Sequence, residues 1–275
     1  SIPQTLKNIA IRQTDPTGIT ITRVVDVASN ITLDFASSAT KSVSTRSSNS
    51  TISTKSISVA ESDFANEAPA GAISYTTDND QNNATNLKLN NGFNQSINLW
   101  LSDKNLYASG KVHITNLSLA SGCKLYILPN AEVTLDNNNN FTQSGIVISI
   151  NSGGKLILNG NTEIGYFVKL LNKGTIEVAN ENSNIKVSSN GQLYNAGTIN
   201  LTGTLSGEND KSFIDNYGTI TAKNFLLNGN SSMTNAGNIN ITNQASITST
   251  FAVWRNESGT FTAKNMEIYG TNLNS

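Results

Sequence analysis

The sequence predicts an all-β chain wound as a right-handed parallel β-helix, with about 21 residues and three strands per coil. Three observations carry this reading. A phrase of Asn, one further residue, Gly and then alternating side chains recurs down the second half. It reads Asn172-Lys173-Gly174-Thr175-Ile176, Asn195-Ala196-Gly197-Thr198-Ile199, Asn216-Tyr217-Gly218-Thr219-Ile220 and Asn235-Ala236-Gly237-Asn238-Ile239. One residue looser, it returns as Asn256-Glu257-Ser258-Gly259-Thr260-Phe261. The Gly register also runs backwards through Gly154, Ala131 and Gly110, in steps of roughly 19 to 23 residues, the length of one solenoid coil. Finally, apolar residues keep fixed offsets from that anchor, which is the signature of strands stacked coil on coil.

Residues 1–71 lack the Gly anchor and are expected to form a small N-terminal β region, either a sandwich or a cap. Alternation is visible at Ile9/Ile11, Ile19/Ile21, Val25/Val27 and Ile31/Leu33/Phe35. The stretch from Lys41 to Glu61 is mostly Ser and Thr and reads as exposed edge strands or a long hairpin. Pro69-Ala70-Gly71 marks the boundary. The β-helix is assigned to residues 72–275, with Ile73/Tyr75, Leu87/Leu89 and Ile97/Leu99/Leu101 as its first, less regular coils.

Within each regular coil, the first strand places apolar residues two and four positions after the anchor. The first set is Val112, Val133, Leu156, Ile176, Ile199, Ile220, Ile239 and Phe261. The second is Ile114, Leu135, Leu158, Val178, Leu201, Ala222, Ile241 and Ala263. Period-two alternation puts both on one face. A second strand shows in Ile185/Val187, Phe225/Leu227, Ala245/Ile247 and Met266/Ile268. A third inward ladder, Leu170, Leu193, Ile214, Met233 and Trp254, lies two residues before the turn Asn. Parallel strands need a covered inner face, which the tube interior supplies, and crossover chirality favours right-handed winding.

The turn residues receive a structural role. Asn172, Asn195, Asn216, Asn235 and Asn256 tolerate left-handed backbone and, stacked in register, can bond one another as a ladder. Gly174, Gly197, Gly218, Gly237 and Gly259 complete the turn. Asn180–Asn184 and Ser206–Lys211 read as insertions that form outer loops. The chain stops after the Met266/Ile268 strand, before a third strand. A bare last coil invites edge pairing, so the chain is expected to continue, to be covered by a partner, or to fold over its own end.

Charged residues make up 13% of the chain and the formal net charge is -1, so no basic patch points to nucleic acid. No apolar run reaches the roughly 18 residues of a membrane helix. The single cysteine, Cys123, excludes an internal disulfide framework and reads as a buried thiol. Low charge with abundant Asn, Ser and Thr points to an extracellular or cell-surface location.

Catalysis finds little support. His113 is the only histidine and its register points outward, as a solvated side chain; Arg255 is the only arginine after Arg46. Glu177 faces Asn200, Thr221, Asn240 and Thr262 at the equivalent positions, so no carboxylate pair forms there. Asp78–Asn83 and Asp136–Asn140 are oxygen-rich loops that read as solvated turns before they read as calcium sites. No cofactor or metal is expected.

The outer face of the first strand offers the candidate binding surface. Thr175, Thr198, Thr219 and Thr260 form one outward ladder with Asn238. Asn200, Thr221, Asn240 and Thr262 form its neighbour with Glu177. An array of hydroxyls and amides can bind a glycan, with Tyr194 and Tyr217 beside the turns as stacking partners; Thr also suits a solvent-facing strand on propensity alone.

The Asn-x-Gly-Thr-Ile phrase and the Asn/Thr-rich coils across residues 72–275 resemble β-helical surface proteins of Gram-negative gut bacteria, including lipoprotein-like adhesins with an LruC-type C-terminal domain. No such domain is visible in this sequence. The resemblance implies a secreted or surface-anchored, adhesin-like protein without catalysis, anchored in the outer membrane if a lipoprotein signal has been removed. Three readings follow: an adhesive or structural surface module, a glycan-binding module, and a polysaccharide lyase or hydrolase. The expected partner is a glycan or a surface protein, and the expected state is a monomer or an association through an uncapped helix end.

Overall fold

A computed structural model describes residues 19–27, 30–35, 57–178, 180, 183–249, 251–256 and 259–268. The Ile9/Ile11 alternation, most of the Ser/Thr-rich stretch, Glu257-Ser258 and the last residues lie outside them. The described residues form a parallel β-solenoid with no α-helix, and none of their helices is long and apolar enough to cross a membrane.

Three sheets run the length of the tube. Sheet 1 carries the strands after the Gly anchor, such as Lys155–Leu158 and Thr175–Val178. Its two inward columns run in unbroken register from Val112 to Phe261 and from Ile114 to Ala263. Every member of both is buried. Sheet 2 carries strands such as Thr162–Ile164 and Ile185–Ser188. Sheet 3 carries strands such as Lys169–Asn172 and Gln192–Asn195, with the predicted Leu170-to-Trp254 column inside. In the later coils the first two strands merge into one bent strand, as in Thr198–Glu208, with a register shift at the bend. Aromatic bulk concentrates near the C-terminal end. Phe261 packs edge-on against Trp254 and Phe225, at 4.5 and 5.8 Å between ring centroids. Alanines at 222, 245 and 263 supply the room.

The Asn ladder is present. Each Nδ2 donates to the next Oδ1: Asn172 to Asn195 (2.7 Å), Asn195 to Asn216 (2.8 Å), Asn216 to Asn235 (2.7 Å) and Asn235 to Asn256 (2.6 Å). Below Asn172 the same column holds Ala108, Ile127 and Ile150, so an apolar stack becomes an amide stack partway along one column.

Three expectations are corrected. The ladder Asn residues are not in left-handed backbone; the non-glycine residues that are include Asn130, Asn137, Asn190 and Asn209. Coil-to-coil amide bonding, not turn conformation, fixes Asn at the ladder. Ser206–Lys211 is not an outer loop. Ser206, Gly207 and Glu208 extend a strand of sheet 2, Asp210 opens the next strand, and the chain turns at Asn209 and Lys211, both in left-handed backbone. His113 is not merely solvated, since it is bonded to Asp136.

Residues 57–71 lie along the outer face of sheet 3 as a strap. Ile57 and Phe64 bury Leu171, an outward-facing residue that is fully covered. The Ile57 N–H donates to Asp215 Oδ2 at 2.6 Å, Lys173 Nζ sits 4.4 Å above the Phe64 ring, and Asn151 Nδ2 donates to the Ala65 carbonyl at 2.9 Å. At the first coil, buried Gln81 accepts from the Leu101 N–H and donates to the Asp78 and Asn98 carbonyls. At the last, a hairpin of Ile19–Val27 and Asn30–Phe35 pairs antiparallel with Thr260–Ile268.

Candidate functional site

The Thr and Asn residues singled out for glycan contact share the outer face of sheet 1. Thr175, Thr198, Thr219, Asn238 and Thr260 stand in register on sheet 1, and Glu177, Asn200, Thr221, Asn240 and Thr262 form the adjacent outward column. Thr260 Oγ1 donates to Asn238 Oδ1 at 2.7 Å. The two tyrosines are placed elsewhere. Tyr194 faces outward on sheet 3 and packs against the strap cluster. Tyr217 is exposed at the corner that follows sheet 3, with its ring 5.5 Å from that of Tyr194. The structure therefore joins the Thr and Asn residues into one surface, sets Tyr217 at its corner and leaves Tyr194 on sheet 3.

The same sheet is charged in its earlier coils, where a groove of about 500 Å³ is lined by Phe93, Lys111, His113, Glu132, Thr134 and Asp136 among others. His113 Nε2 lies 2.6 Å from Asp136 Oδ2, and Asn159 Nδ2 donates to Asp136 Oδ1 at 2.8 Å. The Asn159 and His113 bonds together hold the Asp136 carboxyl below the usual carboxylate range. Both Asp136 oxygens are thus engaged in tying coils together. Lys155 bridges Glu177 at 2.8 Å and approaches Glu132 at 3.9 Å, and the Glu177 bond raises its pKa.

A second groove of about 500 Å³ runs across the outer face of sheet 2, with a more varied lining. Its central column reads Asn140, Glu163, Lys186 and Ser206 in strict register. Glu163 Oε1 lies 3.2 Å from Lys186 Nζ and accepts from Ser188 Oγ at 2.7 Å. Glu208 lies beside this column, in register with Ser188. One border is a second asparagine ladder of different design. Asn138, Asn161 and Asn184 each accept, through Oδ1, the backbone N–H of the next coil, at 3.0, 2.9 and 2.7 Å. Thr162 also lines the groove; it is 3% exposed, and its Oγ1 has no hydrogen-bond partner among the described residues. The lining ends at Glu163 and Glu208; the strand that carries Glu163 then runs into the corner between sheets 2 and 3, where Tyr166 and Phe167 are 56% and 57% exposed without lining the groove themselves.

The sequence reading missed Glu163, Lys186, Glu208 and the Tyr166-Phe167 corner. The corner left a signal: aromatic residues stand where the next coil places Ser189 and Asn190.

The oxygen-rich turns are occupied internally. Asp80 Oδ2 accepts the Thr76 and Thr77 N–H groups, and these bonds hold its carboxyl below the usual range. Asp78 Oδ1 accepts the Tyr75 hydroxyl and the Asn98 N–H. Among the described residues no three His, Cys, Asp or Glu side chains gather as a metal site. No protein-family model, no curated protein and no solved structure matches the chain.

Proposed function

We propose that the chain is a rigid, non-catalytic, adhesin-like module of a secreted or cell-surface protein, which holds recognition surfaces away from the membrane and presents them to a glycan or a surface protein. The observation that carries this reading is the division of labour between the two sides of the strands. The inward columns of sheet 1 are uninterrupted hydrocarbon, and a buried column of sheet 3 continues as a bonded amide ladder, which stiffens the tube. Outward columns on sheet 1 repeat hydroxyls and amides over successive coils, a chemistry suited to multipoint contact. Asp136 and Glu163 each take part in coil-to-coil bonds, and general acid-base chemistry needs a carboxylate free to exchange a proton with a substrate.

Two measurements test it. Antibody against the folded chain should label intact producing cells; an exclusively intracellular pool would remove the surface role. Prolonged incubation with a polysaccharide panel should give neither new reducing ends nor unsaturated sugars; steady product formation would replace this reading with a polysaccharide-acting enzyme.

A further inference from the structure

The corner at Tyr166-Phe167 is built against local preference. Both residues are in left-handed backbone, with φ of 46° and 65°. A bulky side chain is disfavoured there. The strain is not repaid by packing, because both rings are more than half exposed. Nor does the turn require them. One coil on, Ser189 and Asn190 adopt the same pair of angles, 45° and 67°. Both turns close the same way: the Val168 N–H donates to the Gly165 carbonyl at 2.9 Å, and the Gly191 N–H to the Ser188 carbonyl at 2.7 Å. The fold can therefore make this corner from small polar residues that tolerate it better. Two exposed, strained aromatics where Ser-Asn suffices are explained by something that binds them.

What they border sets the ligand. The corner follows directly on the strand that carries Glu163, and Glu163 lines the sheet 2 groove. Across the groove, the Asn138, Asn161 and Asn184 Oδ1 atoms are taken by backbone. Their Nδ2 groups make no hydrogen bond among the described residues and repeat at the coil spacing of about 4.8 Å. Aromatic faces beside a row of amide donors, hydroxyls and carboxylate acceptors match the two sides of a pyranose ring. The ring's C–H face stacks on the aromatic and its hydroxyls reach the polar wall. Lined by Glu163, Glu208 and Lys186, the groove carries more negative than positive charge, which disfavours polyuronates and sulfated glycans.

We infer that the sheet 2 groove, with Tyr166 and Phe167 as its stacking edge, binds an oligosaccharide of neutral or amino sugars lying along the solenoid axis. This goes beyond the display role, which stands or falls on surface exposure and absence of turnover and does not depend on this groove.

The test titrates the full chain with cellohexaose, N-acetylchitohexaose, deacetylated chitohexaose and hexagalacturonate by isothermal calorimetry. The informative variant is Tyr166→Ser with Phe167→Asn, which copies the neighbouring turn and is expected to leave the melting temperature unchanged or raised. Glu163→Gln with Glu208→Gln removes the negative charge without loss of volume. The expected result is saturable binding of at least one neutral or amino-sugar hexamer and none of hexagalacturonate. Affinity should weaken at least tenfold in the Ser-Asn variant, and discrimination against hexagalacturonate should fall in the Gln variant. No binding of any neutral or amino-sugar hexamer, unchanged affinity in the folded Ser-Asn variant, or equal binding of hexagalacturonate would each overturn the inference.

Discussion

Asn195 Nδ2 donates to Asn216 Oδ1 at 2.8 Å with both side chains fully buried, so each coil's amide is satisfied by its neighbours in the stack. Asn216 is the clearest member to remove. Asn216→Ala would take the acceptor from Asn195 and the donor from Asn235. Asn195 Nδ2 keeps its longer bonds to the Gly197 and Thr219 carbonyls, while Asn235 Oδ1 is left without its ladder donor, so one substitution should cost roughly 1–3 kcal/mol. Urea denaturation should show a lower midpoint. Stability unchanged within error would mean that the amide stack contributes nothing net, as an equally well-packed apolar column would.

The glycine beside each ladder position is required by stacking, not by backbone angle. A Cβ on Gly218 would lie 2.1 Å from the Gly197 carbonyl oxygen, and Gly218 is not among the positive-φ residues. Gly218→Ala must push two coils apart, with an expected loss of more than about 2 kcal/mol. Gly71 reverses the case: its φ is +85°, yet nothing lies within 4 Å of an added Cβ. Gly71→Ala should cost only the conformational penalty, about 1 kcal/mol. A pair of melting curves compares them, and equal losses would show that coil separation is soft.

These columns were legible because the same side chains recur at one offset. Ile176, Ile199 and Ile220 report their facing through alternation, and Asn172 through Asn256 report theirs through identity. The same logic explains what was illegible. Asn140, Glu163, Lys186 and Ser206 share a column in which no two members are alike, so no repeat signal marks the groove. Leu171 is a single apolar residue between Ser149 and Tyr194 on an outer face. Its cover comes from Ile57 and Phe64, and Ile57 also bonds Asp215, 158 residues away along the chain. Local pattern carries no information about a contact that long.

The strap makes its own prediction. Phe64→Ala removes a buried ring that covers Leu171 and sits beneath Lys173. A loss of about 3–5 kcal/mol is usual for such a truncation in a core. Here it falls on the strap, which can lift while the solenoid stays wound. Limited proteolysis should cut between residues 57 and 71 far faster in the variant, with the β-sheet circular dichroism unchanged. Global unfolding at the same midpoint as strap release would make the strap an integral part of the solenoid's cooperative unit.

Cys123 gives a pH-dependent test. Its thiol is buried, donates to the Leu101 carbonyl, and is pushed up in pKa by that burial. A raised folded-state pKa means that the folded protein holds the proton more tightly than the unfolded chain. The contribution is therefore fully present below the unfolded thiol value of about 8.5 and is lost as pH rises through the higher folded value. Unfolding free energy should decline above about pH 8.5 more steeply in the native protein than in Cys123→Ala. A disulfide reagent should modify the thiol only after denaturation. Rapid modification of the folded chain at pH 8 would contradict its burial.

The hairpin strand Ile19–Val27 meets the last described coil. Ile19, Thr20 and Ile21 pair antiparallel with Ala263, Thr262 and Phe261, and Val24 pairs with Asn256. The hairpin thus pairs with part of the edge that the last described coil presents, three residues on sheet 1 and one on sheet 3. An edge of parallel strands with ladder groups open is a template for another chain. Deleting residues 1–35 should uncover the Thr260–Ile268 edge and leave the inward columns untouched. The truncated protein should associate with rising concentration in sedimentation velocity, while the intact chain keeps one sedimentation coefficient over the same range. Placing Lys at Thr262, which points outward along that edge strand, should reduce the association by charge repulsion between copies. If the truncated protein stays monomeric at every concentration, the hairpin is not what protects this end, and association through the last coil loses its physical basis.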